Sequence, residues 1–218
     1  MEAAQKLGSE LAHIVLDIAD GPMQEVTGPI SGSMEVISLP LAPPLPYEKA
    51  LELARDIPLD IGFDHGINRG TNWIRELMRY YKEGIPFPAR SDELICRDQG
   101  YLSHEADDSR PFPCRFEEVI VAKIGTMPLI AMQGEVCAPI GMRIKDTFRR
   151  TTPIMVFAYM GEQNLYIPTR ELVRLDSYQA QVIRIQYASP CGWAPEVEDE
   201  MVQGVVAMVE KALGKNEE

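Results

Sequence analysis

The chain has 218 residues, 45% of them hydrophobic and 25% charged, with a formal net charge of −12. That length suits one well-buried domain, and the excess of acid argues against both phosphate-driven nucleic-acid binding and adhesion to an anionic membrane. No apolar run approaches the ~18 residues of a membrane span, and the segment Met1 to Asp20 lacks a signal-peptide layout, so the expected location is the cytoplasm.

The first predicted element is a helix over Ala3–Ala19, with Leu7, Leu11, Ile14, Val15 and Ile18 on one face, stopped by Gly21-Pro22. Ser31–Leu39 reads as a strand that leaves through the proline-rich stretch Pro40–Pro46. Helices follow over Tyr47–Arg55 and Asn68–Lys82, the second turning Trp73, Ile74, Leu77 and Tyr81 inward. Gly84–Pro113 is polar, rich in proline and without periodicity, and reads as a long surface excursion of the kind that serves as a lid.

Phe116–Ile124 and Met127–Met132 form the clearest hairpin, joined at Gly125-Thr126. Pro139–Arg149 is a helix with Ile140, Ile144 and Phe148 on one side, and Pro153–Tyr159 is apolar enough for a strand buried on both faces. The last helix starts at Pro195, carries Glu196, Glu198, Asp199 and Glu200 at its positive end, and buries Val197, Met201, Val205, Met208 and Val209. Strands and helices interleave throughout, so the expected class is α/β, a mixed sheet flanked by helices in a single domain over residues 1–218. Cys96, Cys114, Cys137 and Cys191 are too dispersed for a CxxC site and read as thiols.

Two places break the logic of a purely structural domain. Gly134-Glu135 stands where a strand hands over to a helix, a position from which a carboxylate can ligate a metal or serve the helix dipole. Tyr166-Ile167-Pro168-Thr169 follows the polar turn after the apolar strand and can bring a phenol to the same sheet end; tyrosine is also a common amphipathic filler. Taken singly, each has a structural explanation that leads.

Their combination resembles a known family. The run Ile124-Gly125, Leu129-Ile130, Gly134-Glu135, Gly141, Arg143, then Val156-Phe157-Ala158-Tyr159, Tyr166-Ile167-Pro168-Thr169 and Tyr178 is similar to the neutral/alkaline non-lysosomal ceramidases, specifically over residues 124–179. The resemblance implies a zinc amide hydrolase that cleaves an N-acyl bond of ceramide or a related N-acylated amine. It implies that Glu135 and Tyr166 are zinc ligands and that Tyr178 stands by the substrate amide, where a hydroxyl meets developing oxyanion charge.

The family's other two ligands are histidines from a more N-terminal portion, which this chain lacks. His13, His65 and His104 stand in no matching motif. Gln133 replaces a frequent proline before Gly-Glu, and Asp176-Ser177-Tyr178-Gln179 lacks the glutamate that often follows the second tyrosine. The expectation is therefore the C-terminal part of a larger ceramidase-type catalytic domain, incomplete as an enzyme. Its partners would be an N-acylated lipid or small amide and either the missing half or a second copy, since the absent half would bare apolar sheet. The alternative is a non-catalytic binding or scaffold domain of the same fold.

Overall fold

The computed structural model describes residues 2–59, 69–84, 114–161 and 165–214. The expected lid at Gly84–Pro113, apart from Gly84 and its preceding helix, lies outside these residues, as do Cys96, His65 and His104. After α1 (Glu2–Ala19), β1 (Ile30–Pro40) leads through the proline stretch to α2 (Tyr47–Leu53); a 3-10 turn at Arg69–Thr71 precedes α3 (Asn72–Glu83). Then come β2 (Cys114–Ile124), β3 (Met127–Gln133), β4 (Glu135–Val136), α4 (Ala138–Phe148), β5 (Met155–Met160) and β6 (Tyr166–Ile167). Three helices close the chain: α5 (Arg170–Arg174), α6 (Tyr178–Ile185) and α7 (Val197–Ala212).

The main sheet has the order β1-β2-β3-β5. The β2–β3 hairpin turns at Gly125-Thr126, and β1 pairs antiparallel with all of β2, from Ile30 opposite Ile124 to Pro40 opposite Cys114. β5 adds parallel to β3 after the α4 crossover, as a parallel neighbour requires. The fold is thus mixed α/β, with both strand orientations in one sheet.

Alternation along the strands decides what is buried. Ile37, Leu39, Val119, Val121, Ile130 and Met132 share one face and form the core with α4 and α7. The stripe expected on α7 is buried whole, and Ile140, Ile144 and Phe148 seal the α4 side. Each such side chain contributes about 1.5–3 kcal/mol on leaving water. A second cluster joins Ala50 and Ala54 to Trp73, Ile74, Leu77 and Met78 across α2 and α3.

One expectation is corrected. β5 is not buried on both faces: it is the sheet edge, and Met155, Phe157 and Tyr159 project from it exposed while the alternate residues are half-buried. Its unbroken apolar sequence reflects an uncovered second sheet face. α1 has the expected helical stripe, yet none of its residues is buried.

α7 approaches β1 so closely at Gly204 that a Cβ there would lie 2.6 Å from Ile37 Cδ1. A β-branched side chain would force the helix off the sheet, so Gly204→Val should lose about 1–3 kcal/mol of stability, read as a lower urea midpoint at unchanged slope.

Candidate functional site

The site begins at Gly134. Its φ of +70° turns the chain sharply out of β3, and a Cβ there would stand 2.4 Å from the carbonyl oxygen of Leu165. Only glycine allows both the left-handed backbone and that approach. The result is the short parallel ladder of β4 and β6, with Glu135 N–H donating to Leu165 O at 2.8 Å and Cys137 N–H donating to Ile167 O at 3.1 Å. Its register sets Glu135 opposite Tyr166 and Val136 opposite Ile167.

The Tyr-Ile-Pro-Thr sequence divides its labour. Ile167 is fully buried in the main core and Pro168 is buried beside it; the Thr169 hydroxyl caps α5 by accepting from Leu172 N–H at 3.3 Å. With its neighbours anchored, Tyr166 is left half-buried next to Glu135. α6 then starts at Tyr178, whose ring meets the Tyr166 ring edge-on at 6.0 Å between centroids. All three residues singled out in the sequence therefore lie together, at the end of the sheet where β3 and β5 finish.

Two tyrosines escaped the sequence reading. Tyr159 has a φ of +61°, and its N–H donates to Gly134 O at 2.9 Å. This strained residue aims its hydroxyl at Glu135, donating to Oε2 at 3.0 Å. Tyr187 stands close enough to feel both Glu135 and Arg115; burial raises its phenol first, Arg115 opposes this, and Glu135 adds to it. The signal for Tyr159 was its place at the end of the apolar strand, but the left-handed turn that aims it has no sequence pattern.

Electrostatically the site is a carboxylate among phenols. Hydrogen bonding to Glu135 is the main reason the Tyr166 phenol is pushed up to about 12, and the same cause raises Tyr159. Phenol beside carboxylate is therefore held neutral, and a bound cation is what would reverse that preference. Tyr178 accepts a hydrogen bond from Gln186 Nε2 at 2.9 Å, which leaves its own O–H free to point at another acceptor.

Among the described residues no three His, Cys, Asp or Glu side chains converge on one point. His13 is on exposed α1, its Nδ1 2.7 Å from Ser9 O. The Cys137 thiol is raised chiefly by burial, which a backbone hydrogen bond at Thr169 opposes and Glu135 and Glu198 reinforce. A carboxylate and a phenol are two oxygen donors, whereas catalytic zinc sites use three protein ligands and keep a fourth position open.

Neither departure from the family pattern disturbs the pair. Gln133 is buried and clamps β3 to β2, its Nε2 donating to Glu118 Oε2 at 3.2 Å and its Oε1 accepting from Glu118 N–H at 2.9 Å. Asp176 turns the chain into α6 and takes hydrogen bonds from Gln181 and Arg184.

No family model matches the sequence, and no curated protein matches it. The chain is similar to two solved structures. One is a ceramidase complexed with C2, at 14% identity over 88% of this chain and 31% of that chain, with a TM-score of 0.44. The other is the neutral ceramidase from Pseudomonas aeruginosa, at 15% identity over 88% of this chain and 30% of that one, with a TM-score of 0.45. The chain thus spans just under a third of the length of these structures.

Two measurements check this site. Ultraviolet titration of the phenols should find Tyr166 ionising near 12, and Glu135→Gln should bring it down toward the ordinary value of about 10, because the raising partner is gone. Gly134→Ala should cost at least about 1–3 kcal/mol in urea unfolding, as it places a side chain in left-handed backbone against Leu165 O.

Proposed function

We propose that this chain is part of a zinc amide hydrolase of neutral-ceramidase type, contributing the carboxylate and phenol ligands of its metal. The observation that carries the reading is the register pairing of Glu135 with Tyr166, with Tyr178 packed on the Tyr166 ring. These are the three residues that the motif resemblance singles out, and they come from separate stretches of sequence. Two histidines from outside the described residues complete the ligand set in this reading.

When bound, zinc would polarise the scissile carbonyl and lower the pKa of a water toward ~7. The work of the chain's own residues follows from their placement. Glu135 and Tyr166 hold their oxygens side by side on rigid backbone. Tyr159 fixes the Glu135 carboxylate through Oε2, the outer contact that sets a ligand's orientation. The Tyr178 hydroxyl, held on its acceptor side by Gln186, offers its proton where negative charge develops on a substrate carbonyl. The substrate class is an N-acylated amine, with ceramide its lipid member.

A second reading, a non-catalytic binding or scaffold domain, is favoured by one observation: among the described residues no three His, Cys, Asp or Glu side chains converge on one point. The two readings part on zinc. The 218-residue chain should bind zinc weakly, and a histidine-bearing segment supplied with it should restore tight binding together with release of fatty acid from an N-acylated amine. Glu135→Ala or Tyr166→Phe should then lower activity more than ~100-fold, since even outer-shell partners of a metal are worth 10–100-fold. Activity or binding indifferent to both substitutions hands the case to the scaffold reading. Tight stoichiometric zinc in the chain alone, lost on replacing His65 or His104, overturns the need for an added segment.

A further inference from the structure

Two apolar surfaces stand without a counterpart among the described residues. The first is α1, where Leu7, Leu11, Ile14, Val15 and Ile18 are each between 55% and 66% exposed along one 18-residue helix. They fall within a stripe about 100° wide, the breadth of a helix that lies on a broad surface. The second is the sheet face turned away from α4 and α7. Strand register aligns Met34, Ile120, Ala131 and Phe157 as one row across all four strands, and Ala122, Leu129 and Met155 as part of the next. Met34 is 57% exposed, and Met155 and Phe157 44% each.

We propose that α1 of one copy lies across this open sheet face in a second copy, and reciprocally, giving a two-fold dimer. The dimensions agree. An 18-residue helix is about 27 Å long and about 10 Å across, and 11-residue strands run about 36 Å. One such contact buries roughly 540 Å² counting both sides, short of the ~1,000 Å² of a specific interface, whereas two reciprocal contacts give about 1,100 Å². Reciprocity is what closed two-fold symmetry supplies.

Charge removes a lipid surface as the occupant. Membrane-surface helices carry Lys and Arg on their polar face; α1 carries Lys6 against Glu2, Glu10 and Asp17. The whole chain, at −12, would be repelled by anionic lipid. None of these residues belongs to the Glu135–Tyr166 pair, so the substitutions that test the dimer leave that pair in place.

Analytical ultracentrifugation of the 218-residue chain at tens of micromolar tests it. The expected species has twice the chain mass. Leu11→Glu with Ile14→Glu on α1, and separately Met155→Lys with Phe157→Lys on the sheet, should each weaken the dimer at least tenfold while circular dichroism stays native. Mixing the two variants should restore a dimer, since one intact contact and one Glu–Lys contact then form. A monomeric native chain overturns the proposal, and so does a dimer that survives the sheet substitutions, which would mean α1 pairing with α1. Failure of the mixture to associate overturns it as well.

Discussion

The seating of α7 on the inner sheet face is the interaction on which the other parts depend. Its buried stripe closes the core over β1, β2 and β3, and Lys123 and Lys211 tie its far end to the sheet, the first through Ala212 O and the second through Glu35. Its first turn organises the opposite end. Glu198 and Asp199 receive Arg143 from α4, Asp199 is paired with Arg170 of α5, and Glu198 also accepts the Arg170 N–H. The Arg143 hydrogen bond is the main reason the Asp199 carboxyl is held below its ordinary range. Acidic residues that suit a helix dipole thus also fix α4 and α5, the two helices that immediately follow Glu135 and Tyr166.

The large elements were legible because each repeats its period often enough to be read. The β2–β3 hairpin and the α3, α4 and α7 stripes agree with their residues in the structure. The error has one cause: a period tells which face is apolar and nothing about whether anything covers it. α1 has a clean stripe with no partner among the described residues, and β5 is apolar because it borders a face those residues leave open. The one-turn elements were invisible for the opposite reason. β4 and β6 have two residues each, too few for any alternation, and α5 completes little more than one turn.

At the site, residue types were legible and geometry was not. Glu135, Tyr166 and Tyr178 could be named from a motif order, but their meeting depends on Gly134 taking a left-handed turn against Leu165 O. Tyr159 depends on a second left-handed residue, in a tyrosine, which no propensity favours.

One buried pair acquires its meaning from the open sheet face. Arg115 donates from Nε to Glu117 Oε1 at 3.1 Å, both side chains almost wholly out of water. Burial raises the Glu117 carboxyl, Arg115 pulls it back, and Oε2 has no hydrogen-bond partner among the described residues. As a source of stability such a pair is poor, because desolvation offsets its attraction. But β2 is apolar on both sides, so hydrophobicity does not distinguish its correct alignment with β1 from one slipped by a residue, and no short turn joins the two strands to impose it. A one-residue slip of the β2–β3 hairpin against β1 would turn both charges together to the open face and put Phe116 and Glu118 in their place. The pair thus distinguishes the two faces of a strand that carries apolar residues on both.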